Sequence, residues 1–315
     1  MRLEPLYPGD TVDIVAPASK CTREELGNGL KAIRELGLVP RVPSDLFARS
    51  LLFSNSDESR LRQLRAALFA PDSKAIWCVR GGYGALRLMP EIQKWRRPRL
   101  GKIFIGYSDI TTLHTHLNQE WGWPTLHGPL LDRLGRKEAM SAGEKRELLA
   151  LLFGRQKEVE FRRLRALNTA ARAHTRGAVR AAVCGGNMAV LQSGLGTRGQ
   201  LNPRGRILFF EDAGERPHRV DRMLTQFSQA GWFEGANAAR AVVFGHMLLN
   251  DPRDRRWVWR DVIARFAAEH RLPVLAGLPV GHDPRVQYTL PLQTPARLNL
   301  GPKPSLVVQS PVKLP

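Results

Sequence analysis

Short apolar runs alternate with amphipathic segments through the first half of the chain, and this alternation constrains the fold more than any other feature. "DTVDIVAPAS" (Asp10–Ser19) reads as a strand ending in a proline-containing turn. "TREELGNGLKAIRELGL" follows with helical spacing, placing Leu26, Leu30, Ile33 and Leu36–Leu38 on one side. "DESRLRQLRAALFAPDS" is a second helix, opened by Asp57 or Ser59 and closed before Pro71. "KAIWCVRGGYGALRLMP" then runs from a strand through a glycine turn into a helix, and "KIFIGYSDITTLHTHLNQEWG" repeats the design. Strand and helix at this spacing predict a parallel sheet flanked by helices. Ligands of such sheets bind outside the carboxyl ends of the strands. Two loops compete for that place: Arg80–Ala85 ("RGGYGA") and Gly106–Asp109 ("GYSD").

The texture changes from about Ala150. A charged, weakly periodic stretch over 154–176 reads as a linker between an N-terminal α/β domain (1–153) and a C-terminal domain (177–315). In the latter, short β-like runs are interrupted by two helices, around Arg219–Ala230 and Trp257–Glu269, which suggests a smaller, β-rich or mixed domain. A length of 315 residues at 43 % hydrophobic content suits two modest domains with real cores. No apolar run approaches the roughly 20 residues of a membrane helix, and "MRLEPLYPGD" lacks the pattern of a secretory signal. Cytoplasmic location, with no membrane partner, is the expectation. Three scattered cysteines, Cys21, Cys78 and Cys184, make neither a disulfide framework nor a zinc cluster, and Cys78 inside "AIWCV" reads as a small buried hydrophobe. The net charge of +19 raises nucleic-acid binding, but the basic residues are spread along the chain and match no such motif. An acidic small substrate explains the charge as well.

Ser108 stands where an apolar run becomes a helix. That position is first of all the place of an ordinary N-cap serine, and it also suits a nucleophile surrounded by backbone N–H groups, a reading favoured by the convergence of the two loops at one sheet edge. A nucleophilic serine needs a base, and the base an orienting group. His114 and His116, two apart on a helix, point to different faces; His174, His218 and His270 lie in polar contexts expected to be solvated. His127 and His246 follow apolar runs, where they line a cleft or are satisfied in the core. His282, at the far end of "LPVLAGLPVGHDP", is presented from a strand end. Glu211 follows four apolar residues in "RILFFEDAGERPHRVDRML" and suits an imidazole N–H, with Asp212 and Glu215 as alternatives from the same loop.

Six ordered segments give the chain a resemblance to the LD-carboxypeptidase family of serine peptidases, which includes murein tetrapeptide carboxypeptidases and microcin-immunity peptidases. They are "GDTVDIVAPAS", "CVRGGYGALRLMP", "IGYSDITTLHTHL" with "LHGP" after it, "GGNMAVLQSGLGT", "GRILFFEDAGERPHRVDRML" and "LPVLAGLPVGHDPRVQYTLPL". The resemblance implies a flavodoxin-like N-terminal sheet, with Ser108 as nucleophile and Glu211 and His282 completing a triad. It also implies an oxyanion hole from the amide of Asp109 and one in Gly81–Tyr83, here taken as Gly82. The implied substrate is the muropeptide tetrapeptide L-Ala–γ-D-Glu–meso-diaminopimelate–D-Ala, which loses its terminal D-Ala in peptidoglycan recycling, with no metal or cofactor and as a homodimer. Arg80 and Arg285, each beside a motif, are candidates for substrate carboxylates, the alternative being solvation or pairing with nearby acids. Two rival readings remain open. One is a microcin-immunity-like hydrolase of aminoacyl-nucleotide analogues, which needs an aromatic platform, for which Trp121, Trp123, Trp257 and Trp259 are the candidates, although Trp121 and Trp123 are expected to pack between helix and sheet. The other is a non-catalytic anion- or nucleic-acid-binding protein using "RGGYGA", a loop that lacks the residues of a P-loop or dinucleotide fingerprint.

Overall fold

A computed structural model describes residues 1–136, 140–173, 177–249 and 251–315. Its strands, in chain order, are β1 (Thr11–Val15), β2 (Val39–Arg41), β3 (Ser73–Cys78), β4 (Ile103–Gly106), β5 (Thr125–His127), β6 (Glu158–Phe161), β7 (Arg165–Ala166), β8 (Ala178–Asn187), β9 (Ile207–Ala213), β10 (Ala241–Leu248), β11 (Val274–Ala276), β12 (Leu290–Leu292), β13 (Pro295–Asn299) and β14 (Ser305–Gln309). The chain divides into two compact units: Met1–Lys157 with Tyr288–Pro291 and Ser310–Pro315, and Glu158–Gln287 with Leu292–Gln309.

In the first unit the strands run in the order β12-β5-β4-β3-β1-β2, and every contact among β1 to β5 is parallel. This is the α/β sheet expected from the alternation. β3 and β4 are apolar almost throughout because a parallel strand is covered on both faces. The helix Arg23–Glu35 starts at a capping box, in which the Thr22 side chain accepts from the Glu25 amide and Glu25 returns to the Thr22 amide. The helix Asp57–Phe69 is capped by Ser56, one residue before the expected start, and ends at Ala70 ahead of Pro71. Trp77 and Trp123 are wholly buried here and anchor their indole N–H groups on the carbonyls of Pro129 and Lys102, both at 2.7 Å.

The second unit carries an eight-stranded mixed sheet, β6-β14-β13-β8-β9-β10-β11-β7. Its centre, β8 to β11, is parallel, and antiparallel strands extend it on both sides. The stretch 154–176 contributes β6, β7 and the short helix Thr169–Ala173, while residues 174–176 lie outside the described residues. Both expected helices are present but begin earlier, at Pro217 and Pro252. Proline at the first helical position carries no N–H that needs a partner and has its φ already set. Phe210, Phe227 and Trp232 stack at the heart of this unit, with ring centroids 4.4–6.5 Å apart.

Candidate active site

β4 delivers the chain to Gly106, and Tyr107 continues it extended into the turn Ser108–Ile110 and the helix Thr111–Gln119. Ser108 sits at φ 65°, one of three non-glycine residues with positive φ among the described residues. An N-cap residue has an extended backbone, and no side-chain capping bond is made at this helix start. The cap reading therefore fails. The Ser108 hydroxyl makes no hydrogen bond among the described residues and is half-buried. A left-handed backbone at a residue with a Cβ costs of the order of 1–3 kcal/mol and persists only where the surroundings impose it.

Those surroundings are the glycine loop. A Cβ on Gly81 would lie 2.6 Å from the Ser108 Cβ and 2.9 Å from its Oγ, so only glycine lets the loop approach this closely. Gly82 adopts φ 90°, and its missing Cβ leaves space for the Ser19 hydroxyl. Ser19 donates its N–H to the Gly81 carbonyl (3.0 Å), and its Oγ accepts the Tyr83 N–H (3.2 Å) while donating to the Leu52 carbonyl (3.1 Å). The backbone N–H groups of Gly82 and Asp109 donate to nothing among the described residues. The Asp109 side chain is buried and accepts the Ala85 N–H at 2.7 Å. Burial lifts its carboxyl to about 6, against the opposing pull of the Ala85 amide, the Arg60 charge and the Gly84 amide. Arg80 lies 3.5 Å from a Glu25 oxygen and 3.7 Å from an Asp132 oxygen.

In the second unit, Glu211 lies near the carboxyl end of β9 and is fully buried, and its Oε2 is 2.6 Å from the Nδ1 of half-buried His282. Gly281, at φ 123°, makes this approach feasible, since a Cβ there would meet the Glu211 Cβ and Oε2 at 2.9 Å. The alternative carboxylates are otherwise occupied. Asp212 accepts from the amides of Ala189 (2.8 Å) and Ala213 (2.7 Å), and burial followed by the neighbouring Glu211 charge pushes its carboxyl up to about 7. Glu215 pairs with Arg219. Arg285 closes a fork on Asp283, with Nε and Nη2 at 3.0 and 2.8 Å, and holds that carboxyl down to about 2.

The remaining histidines sort by surroundings. His114, His116 and His127 are buried; burial drives His114 down to about 3 and His116 down to about 4, so both are neutral. His270 is not solvated as expected: it packs on Phe266 and Phe233, with Nδ1 2.8 Å from the Phe266 carbonyl. His174 lies outside the described residues. All three cysteines are buried free thiols, and burial pushes Cys21 and Cys184 up to about 12. Trp121 and Trp123 stack on each other within the core as expected and offer no platform, whereas Trp257 is exposed. No helix among the described residues is long and apolar enough to cross a membrane.

Residues 12–128 match the family model of the LD-carboxypeptidase N-terminal domain, and residues 180–298 that of the C-terminal domain. The chain belongs to the LD-carboxypeptidase family. A murein tetrapeptide carboxypeptidase of Pseudomonas aeruginosa is 30 % identical, over 86 % of this chain and 87 % of that protein. The crystal structure of muramoyltetrapeptide carboxypeptidase from Oxalobacter formigenes superimposes with TM-score 0.79 at 25 % identity, covering 97 % of this chain and 99 % of that one. An MccF-like protein from Bacillus anthracis shares the fold at TM-score 0.82 and 21 % identity, over 98 % of this chain and 99 % of that one. This LD-carboxypeptidase family member is thus an enzyme, a hydrolase of the carboxypeptidase class.

Proposed function

We propose that this enzyme is a serine LD-carboxypeptidase that removes the terminal D-Ala from L-Ala–γ-D-Glu–meso-diaminopimelate–D-Ala. Ser108 is the nucleophile, His282 the general base and Glu211 its orienting carboxylate. The observation that carries this reading is the left-handed backbone of Ser108, held against the glycine loop with its hydroxyl unbonded. A strained strand-to-helix turn is the usual way to present a nucleophilic serine.

His282 takes the Ser108 proton through Nε2 as Oγ attacks the carbonyl that joins diaminopimelate to D-Ala. Glu211 fixes the Nδ1–H tautomer and stabilises the imidazolium that forms. The oxyanion is received by the amides of Gly82 and Asp109. The imidazolium then protonates the leaving D-Ala amine, and water, activated by the same histidine, hydrolyses the acyl-enzyme. The relatives named for murein and muramoyl tetrapeptides support the substrate, and recycling of such peptides in the cytoplasm is the setting it implies.

The test is D-Ala release from the purified tetrapeptide by the wild type, Ser108→Ala and His282→Ala. Release that vanishes in both variants, with folding intact, is expected. Release that survives in Ser108→Ala sinks the nucleophile assignment. An inactive wild type that instead cleaves an aminoacyl-nucleotide analogue would move the substrate to the microcin-immunity branch.

A further inference from the structure

The Gly84–Ala85 peptide unit is gripped at both ends by buried charged groups. Its carbonyl, on Gly84, accepts from Arg60 Nη1 at 3.0 Å, and its N–H, on Ala85, donates to Asp109 Oδ2 at 2.7 Å. Arg60 is 1 % exposed although it is charged. The same Nη1 reaches the Pro17 carbonyl, Nη2 donates to Asp57 Oδ1 at 2.6 Å, and the guanidinium lies 4.6 Å from the centre of the Phe53 ring. One buried cation therefore ties the turn after β1 to the glycine loop. A Cβ on Gly84 (φ 127°) would fall 2.7 Å from Arg60 Nη1, so the loop closes fully onto the guanidinium.

Burying an arginine and an aspartate is costly unless the geometry they fix is needed. Packing alone does not require it, since an apolar side chain of similar volume would fill the Arg60 position. What the pair fixes is the plane of one peptide, two residues beyond Gly82. Asp109 adds a second constraint, because its own backbone N–H is the other proposed oxyanion donor, so its side chain locks the two donor segments to each other.

We infer that Arg60 and Asp109 are positioning residues for the transition state, holding the Gly84–Ala85 peptide so that the Gly82 amide stays aimed at the oxyanion. This rests on the serine mechanism proposed above. Both side chains are buried and bonded to the loop, so they act through it. Substrate binding needs the loop only approximately in place, whereas the tetrahedral intermediate needs it within a fraction of an ångström.

The experiment compares wild type, Ser108→Ala, Asp109→Asn and Arg60→Lys on the tetrapeptide, checking folding by circular dichroism. It also measures affinity for a boronic-acid analogue of the tetrapeptide, which forms a tetrahedral adduct on the serine, and hydrogen exchange at the Ala85 amide. An asparagine at 109 keeps the size but replaces one acceptor by a donor, and a lysine at 60 keeps the charge but cannot reach both carbonyls. Each clamp variant is expected to lower kcat roughly 10- to 100-fold, with KM changed less than about threefold. The boronate should weaken in step with kcat, and the Ala85 amide should exchange faster in Asp109→Asn. Arg60→Lys supplies the same kinetic readout if Asp109→Asn does not fold. Unchanged kcat in a folded clamp variant beside an inactive Ser108→Ala overturns the clamp alone, as does a loss carried by KM with boronate affinity intact. Hydrolysis that survives in Ser108→Ala overturns the serine reading and this inference with it.

Discussion

Ser108 and Asp109 are adjacent, yet their environments differ. The Ser108 hydroxyl is unbonded and half-buried, while the Asp109 carboxyl is enclosed and bonded to the loop opposite. Ser108→Ala should abolish measurable turnover and leave the melting temperature unchanged or raised, since alanine removes no hydrogen bond; D-Ala release and calorimetry on the same sample decide this. Asp109 carries a pH signature. Its folded pKa of about 6 lies above the ordinary 3.8, so its contribution to stability is complete below about 3.8 and is lost as pH rises through about 6. At about 1.36 kcal/mol per pKa unit the loss approaches roughly 3 kcal/mol. Asp109→Asn should therefore flatten the pH dependence of stability between about pH 4 and 7. Urea unfolding at both ends of that range would show it, and parallel wild-type and variant profiles would refute it.

At the scale of elements, the first unit was legible because its central strands are short and largely apolar and its first two helices, Arg23–Glu35 and Asp57–Phe69, are amphipathic segments bounded by readable start and stop residues. The second unit was less so. The parallel centre β8 to β11 is buried on both faces, and a continuous apolar run such as "ILFF" does not reveal whether its neighbours are parallel or antiparallel. The candidate site divides in the same way. Glu211 and His282 each lie at the end of an apolar run, but the residues alone left Asp212 and Glu215 open beside Glu211, because all three leave the same strand and turn, and it was the family resemblance that singled out Glu211. Arg60 was passed over although a signal existed: it lies on the stripe that also carries Leu64, Ala67 and Leu68, all buried, and a charge on an apolar stripe must be satisfied inside. Gly281 tests how tightly the histidine loop is fitted. Gly281→Ala introduces a Cβ 2.9 Å from Glu211 at φ 123°, so a destabilisation of about 1–3 kcal/mol is expected, together with at least a tenfold fall in kcat/KM. A melting curve and a turnover rate equal to wild type would show that the loop has slack.

For the molecule as a whole, the field matters more than any single cation. The two arginines singled out beside motifs are both engaged with carboxylates, Arg80 near Glu25 and Asp132, and Arg285 on Asp283. They are poorly placed to donate their full charge to a ligand, yet 48 basic residues against 29 acidic ones leave a net +19. The proposed substrate, a muropeptide carrying several carboxylates, would be drawn toward such a surface from a distance, and that attraction would act on encounter rather than on the chemical step. Exposed charges are screened beyond about 10 Å at 0.1 M salt, so the attraction should fade as ionic strength rises. Raising sodium chloride from about 0.02 to 0.5 M should therefore lower kcat/KM for the tetrapeptide severalfold while leaving kcat nearly constant. A neutral analogue with its side-chain carboxylates amidated should lose this dependence if it is cleaved at all. Equal salt sensitivity for both peptides would mean that the positive charge serves something other than substrate capture.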